Sequence, residues 1–170
     1  MGQSAVIASY QEEERRTSTP PLYNLADLQK DMGRKYGYTA EDTLAIAQAL
    51  YEKYKVISYP RTDSKYLSTD LYNEIDEHLK SLNFSNFMAA LKNIKQEKIF
   101  DKRYFNDLKV TDHHALIPTI NSRIEVIFNE LTEPEQRVFS AIAYRFIAIF
   151  CPDYQYKATE IITEESGHRF

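Results

Sequence analysis

Apolar positions recur at helical spacing along most of the chain. Leu25, Leu28 and Met32 share one face between Asn24, an N-cap with Asp27 three residues on, and Gly37, a C-cap. Thr39 followed by Asp42 repeats the start signal, and Thr43, Ile46, Ala47, Leu50 and Tyr54 mark a second helix. Ser68 is the expected cap of a third, with Leu71, Ile75, Leu79 and Leu82 as its stripe. Phe84, Phe87, Met88, Leu91 and Ile94 predict a fourth. Thr132-Glu133-Pro134-Glu135 is a capping box with proline in the first turn, and its helix carries Val138, Ile142, Phe146 and Ile149 before Pro152 ends it.

Elsewhere the period changes. Ala5 to Ser9 reads as a short strand, Gln11 to Thr19 as a polar stretch running into a stiff extended lead-in at Pro20-Pro21, and Tyr154 to Thr163 as a β-branched strand. Lys55 to Tyr59 is a short β-prone run stopped by Pro60. Asp101 to Asn121 has no period and reads as a loop. The expected fold class is mainly α: a compact helical domain of about five helices over residues 20–150, with short β stubs at 1–19 and 151–170. A helical domain inserted into a β-rich neighbour leaves two such stubs, whose unpaired edges can join each other or a second copy.

Composition narrows the function classes. The 170 residues hold 21 Lys and Arg against 25 Asp and Glu, so a wholly basic nucleic-acid module is excluded while a local basic patch is not. One cysteine, Cys151, excludes an internal disulfide and a multi-cysteine zinc site and points to a reducing compartment. No apolar run approaches the roughly 20 residues of a membrane span. Four glycines, with neither GxGxxG nor GxxxxGK[ST], exclude nucleotide binding through those loops.

Two stretches carry candidate chemistry. In Tyr59-Pro60-Arg61-Thr62-Asp63-Ser64, an extended backbone places Tyr59 and Arg61 on one side. A phenol is a poor nucleophile until its phenolate is stabilised, and a guanidinium binds phosphate oxygens in a fork. Thr62 and Ser64 add hydroxyls, and Asp63 can orient Arg61 or cap the next turn. The bland alternative is a β-turn with a packed tyrosine and a surface Arg61–Asp63 pair. In Asp112-His113-His114, the imidazoles can donate to phosphate, bind metal or simply bond locally, and no third distant metal ligand stands out. His78 is expected on a helix surface and carries no assignment.

Charge is also uneven. Lys53 to Lys65 has a net charge of +3, as does Lys92 to Lys109, where Phe100, Tyr104 and Phe105 interleave with the cations. Basic groups with aromatic faces suit a single-stranded nucleic acid, and equally a solvated helix face over core aromatics.

In order along the chain, Pro20 to Leu25 with Leu28-Gln29, Thr43 to Glu52 (TLAIAQALYE), Tyr59 to Ser64 and Asp112 to Thr119 (DHHALIPT) resemble the type IA DNA topoisomerases, bacterial topoisomerase III above all. The resemblance implies that Tyr59 attacks a phosphodiester of single-stranded DNA and holds the 5′ phosphate, with Arg61 stabilising the transferring phosphate. It implies phosphate contact for His113, and the surrounding Thr62, Asp63, Ser64 and His114 are candidate DNA contacts. Residues 20–150 then correspond to the tyrosine gate domain, and the stubs to strands of a hinge domain. The family's magnesium-binding Toprim domain has an acidic DxDxE cluster that this sequence lacks, so magnesium is expected in the full-length enzyme and no metal here. The expected partners are single-stranded DNA and the rest of the same polypeptide, with no membrane, a monomeric state and a cytoplasmic, nucleoid location. A tyrosine recombinase and a non-catalytic helical binding module remain the competing readings.

Overall fold

The computed structural model of the chain describes residues 6–94, 101–165 and 168–169, so Ala5 of the expected first strand and Lys95, Lys98 and Phe100 of the second basic stretch lie outside the described residues. The chain divides into two compact units, Pro20–Pro152 and a pair of segments, Met1–Thr19 with Asp153–Phe170.

The paired segments form an antiparallel sheet of β1 (Val6–Thr17), β2 (Tyr154–Glu165) and the short β3 (His168–Arg169), in that order. The register runs from Val6 opposite Glu164 to Thr17 opposite Tyr154, with an irregularity between Ile7 and Ser9. Most of the polar stretch before the Pro20-Pro21 lead-in, Gln11 to Thr17, is therefore strand. Pairing with β2 overrides the low β-propensity of Glu12 to Arg16, and a diagonal Lys157–Glu12 ion pair at 2.8 Å supports it.

Among the described residues the second unit holds six α-helices, one more than the periodicity predicts, and the mainly α class holds. They are α1 (Leu25–Tyr36), α2 (Ala40–Glu52), α3 (Ile75–Ser81), α4 (Ser85–Leu91), α5 (Ile124–Glu130) and α6 (Glu133–Ala148). The caps on α1, α2 and α6 form as their sequences dictate: Asn24 accepts from Asp27 N–H, Gly37 takes the left-handed conformation, and Thr39–Asp42 and Thr132–Glu135 close capping boxes. Ser68 caps nothing. The chain instead begins a 3₁₀ turn at Asp70–Glu74, and the Asp107 carboxylate ties down the Thr69 N–H and hydroxyl at 2.8 and 2.6 Å.

Helix α6 organises the core, burying Val138, Phe139, Ile142, Ala143, Phe146 and Ile147 against α1, α2 and α4. The Pro20-Pro21 lead-in is fastened at Tyr23, whose hydroxyl donates to Asp31 at 2.5 Å, while Arg145 donates to Asp31, to the Tyr23 hydroxyl and to the Pro21 carbonyl, each at 2.9 Å. Burial and the Asp31 bond push the Tyr23 phenol up to about 12. Burial opposes ionisation of Asp31, but the Tyr23 hydroxyl and Arg145 outweigh it and hold the carboxyl below its ordinary value.

His78 sits inside the unit, not on a helix surface: it is 6% exposed, its ring packs against Phe146, and its Nδ1–H donates to the Pro118 carbonyl at 2.7 Å. Burial pushes its pKa down despite that bond. The unfolded chain therefore binds a proton here that the folded chain refuses, and stability falls as pH drops below the ordinary imidazole value. Urea midpoints measured from pH 7.5 to 5.5 should show this loss, and the step should shrink in His78→Phe.

Candidate active site

The strand-like run from Val56 to Ser64 is built by its neighbours. Helix α2 ends in a turn in which Lys53 and Tyr54 N–H both reach the Ala49 carbonyl and Val56 N–H reaches that of Leu50. The turn needs a left-handed residue and uses Lys55 (φ 57°), the sole non-glycine with positive φ among the described residues, at a cost of about 1–2 kcal/mol. The Thr119 hydroxyl pins the Lys55 carbonyl at 2.8 Å.

Past that turn the run lies against Ala115–Thr119. Ser58 N–H donates to the Ile117 carbonyl at 2.9 Å and Thr119 N–H to that of Val56 at 3.0 Å. The Ser58 hydroxyl accepts from Ile117 N–H at 3.0 Å and donates to the Ala115 carbonyl at 3.2 Å. Leu116 N–H meanwhile bonds the Tyr23 carbonyl, and Leu25 N–H bonds that of Thr62. Three sequence-distant segments thus share one backbone lattice, and a side chain on it inherits the rigidity of the core.

Burial alternates along this lattice. Pro60, Thr62 and Ser64 are buried, Arg61 and Asp63 are exposed, and Tyr59 is half-buried. Although the chain bends at Ser58, Pro60 and Arg61, this alternation leaves Arg61 and Asp63 toward solvent and the two hydroxyls inward. Thr62 Oγ1 donates to the His113 carbonyl at 3.1 Å and accepts from Ser64 N–H at 3.1 Å. Ser64 Oγ faces the Lys109 and Tyr66 carbonyls at 3.2 and 3.3 Å. The structure therefore gives Thr62 and Ser64 a framework position, joining the Tyr59 run to the His113 loop and to Lys109.

Tyr59 and His113, 54 residues apart, meet here with ring centroids 4.4 Å apart. The exposed His113 and the half-buried phenol leave an open face. Among the described residues the Arg61 guanidinium has no ion pair or hydrogen bond, and Asp63 neither pairs with it nor caps a turn; the Asp63 carbonyl accepts from Asn24 at 3.2 Å. Among the described residues the Arg61–Asp63 pair of the bland alternative does not form, whereas its packed tyrosine does, Tyr59 lying against His113 and Tyr51. His114 is half-buried, and its Nδ1–H donates to the Ala115 carbonyl at 2.7 Å; it also lies near enough to disfavour protonation of His78. Among the described residues no group of three or more His, Cys, Asp or Glu could hold a metal, and no helix is long and apolar enough to cross a membrane.

Sequence reasoning passed over two contributors. Ser58 clamps the histidine-bearing segment beside Tyr59, and its period-two offset from Pro60 and Thr62 already placed it inward. Tyr51, on the last turn of α2, lies edge-on to Tyr59 with centroids 5.4 Å apart.

The family model for DNA topoisomerases matches residues 1–170. The chain belongs to the DNA topoisomerase family. Similar relatives include DNA topoisomerase 3 of Bacillus subtilis, 35% identical over 170 residues, and DNA topoisomerase 3 of Bacillus cereus, 34% identical over 169 residues. Each match covers 99% of this chain and 23% of the relative, so the chain spans about a quarter of these topoisomerases. Full-length topoisomerase I of Thermotoga maritima shares the fold, with a TM-score of 0.67 and 21% identity over 98% of this chain and 26% of that one. The type IA, topoisomerase III-like character suggested by the motifs agrees with these relatives.

The buried Thr62 hydroxyl gives the Tyr59 segment a measurable dependence. Thr62→Val is nearly isosteric but leaves the His113 carbonyl and Ser64 N–H without this partner. It should cost about 1–3 kcal/mol in urea unfolding.

Proposed function

We propose that this chain is the strand-cleaving part of a type IA topoisomerase, with Tyr59 as the nucleophile on single-stranded DNA. The observation that carries this reading is the ring contact of half-buried Tyr59 with exposed His113 beside an exposed Arg61 that has no partner among the described residues, all on one backbone lattice. The Tyr59 oxygen attacks a backbone phosphorus, the bond from phosphorus to the 3′ oxygen breaks, and that oxygen leaves as a 3′ hydroxyl with the proton Tyr59 gives up. Arg61 and His113 face the charge that builds on the non-bridging oxygens, which is where phosphoryl transfer gains most from a protein. The tyrosyl ester keeps the bond energy, so attack by the 3′ hydroxyl reseals the strand without ATP. Asp63 and His114 complete the DNA-facing set of the reading; Thr62 and Ser64 act on it through the framework.

In this reading Pro20–Pro152 is the gate that moves to pass a strand, and the sheet is part of the hinge that carries it. Among the described residues no group forms a metal-binding set. Magnesium, the Toprim domain and the nucleoid setting belong to the parent enzyme, which acts as a monomer. The chain alone then lacks half of the active site and does not cleave.

A trapping experiment tests the polarity. The full-length parent is mixed with magnesium and an oligonucleotide labelled on its 3′ segment, then quenched with detergent. Label retained on protein is the expected result. An adduct only with 5′-labelled DNA supports a recombinase instead, and no adduct supports a binding module. Cleavage by the 170-residue chain alone overturns the requirement for the missing domain.

A further inference from the structure

The geometry points to Tyr51 as a positioning residue that holds the Tyr59 ring in its reactive orientation, a role that rests on the nucleophile reading above. Tyr59 touches two aromatic rings: His113 at 4.4 Å, tilted by 43°, and Tyr51 at 5.4 Å, edge-on at 78°. A half-buried phenol with one packed neighbour can turn about its side-chain bonds. With a second ring against it, the orientations left are few. An in-line attack needs the oxygen close to the phosphorus and aligned with the leaving group, so a misplacement of about 1 Å slows such a step about a hundredfold.

Tyr51 is itself held. It packs against the core from the last turn of α2, and the Lys55 ammonium lies 5.5 Å from its ring centroid. The left-handed backbone at Lys55 folds the chain back after α2, and the Thr119 hydroxyl on the Lys55 carbonyl holds the fold-back in place. That turn is what lets residues eight apart bring their rings into contact. The Tyr51 hydroxyl has no hydrogen-bond partner among the described residues, so the ring, not the phenol oxygen, makes the contact.

The same turn accounts for a lysine where glycine is easier. Its side chain reaches over the Tyr51 ring, a contact glycine cannot make, so the backbone strain is retained beside the site it shapes.

The test uses the full-length parent with Tyr51→Leu and Tyr51→Phe, both of which keep an apolar side chain at a half-buried position. Single-turnover cleavage and affinity for the same single-stranded oligonucleotide are measured side by side. Tyr51→Leu should cleave about 10- to 100-fold more slowly while binding DNA within about twofold of wild type. Tyr51→Phe should restore the rate to within about threefold. A Leu variant as fast as wild type overturns the positioning role. So does a Leu variant whose rate and affinity fall together, which marks a DNA contact, or a Phe variant as slow as Leu, which assigns the work to the hydroxyl. If wild type forms no adduct at all, the nucleophile reading fails and this inference with it; an adduct in wild type with any of the three contrary patterns removes this inference alone.

Discussion

Tyr59→Phe in the full-length enzyme should abolish both DNA relaxation and the covalent adduct while leaving single-strand binding within about twofold. The substitution removes one oxygen and keeps the ring, so its packing between His113 and Tyr51 survives and the lattice is untouched. What disappears is the atom that forms the ester in the proposed reaction. Loss of a covalent nucleophile costs at least about 10⁴-fold, because the remaining charge stabilisation has nothing to act on. Arg61→Ala is the informative companion. It keeps the nucleophile and removes the unpaired charge, so slow cleavage should persist where Tyr59→Phe shows none. Residual adduct in Tyr59→Phe would move the nucleophile elsewhere, and full relaxation activity would reduce the site to a binding surface.

Phe87→Ala should have the largest effect on stability, about 3–5 kcal/mol in urea unfolding of the chain. Phe87 is fully buried, and its ring lies 5.0–6.0 Å from those of Tyr144, Phe84, Phe128 and Phe139. Truncation loses the transfer free energy of the ring and leaves a cavity, and the edge-on aromatic contacts go with it. The cluster joins α4, α5 and α6, so its neighbours cannot close the void without moving three helices. A domain stabilised by about 5–15 kcal/mol loses a large share of its margin that way. Phe87→Leu, which fills most of the volume, should recover more than half of the loss. Equal midpoints for Phe87→Ala and wild type would mean that the cluster repacks freely.

Where the sequence was legible, short-range chemistry decided the structure. Asn24, Gly37, Thr39 and Thr132 carry local signals, because a cap is satisfied by atoms three or four residues away, and those helix ends lie where the residues place them. Helix α5 has no capping side chain and one short turn-and-a-half of apolar spacing, so only its packing on Phe84, Phe87 and Phe139 reveals it. Ser68 looked like a cap, but Asp107, 39 residues later, claimed the adjacent backbone. The charged half of β1 depends on a partner strand at the far end of the chain. Long-range pairing has no local signature.

The site divides along the same line. Residue-by-residue alternation expects Arg61 and Asp63 on one side and Thr62 and Ser64 on the other, and their exposures follow it. Of the candidate DNA contacts Thr62, Asp63 and Ser64, the two hydroxyls thus lie inward. The meeting of Tyr59 with His113 needed the lattice through Ser58, Thr62 and Ala115, which no spacing rule supplies.

The register of the sheet also sets an order of events in folding. Thr17 pairs with Tyr154, so the chain enters and leaves the helical unit from a single rung at the end of the ladder. Forming that ladder from an unfolded chain means closing a loop that contains every helix, which carries a large entropic penalty and comes slowly. The helices, with their short loops, are expected to form first and bring the ends together, and the ladder to zip afterwards. Once zipped, it acts like a crosslink: opening the helical unit alone releases a tethered ring instead of a free chain, and less disorder is gained by letting go.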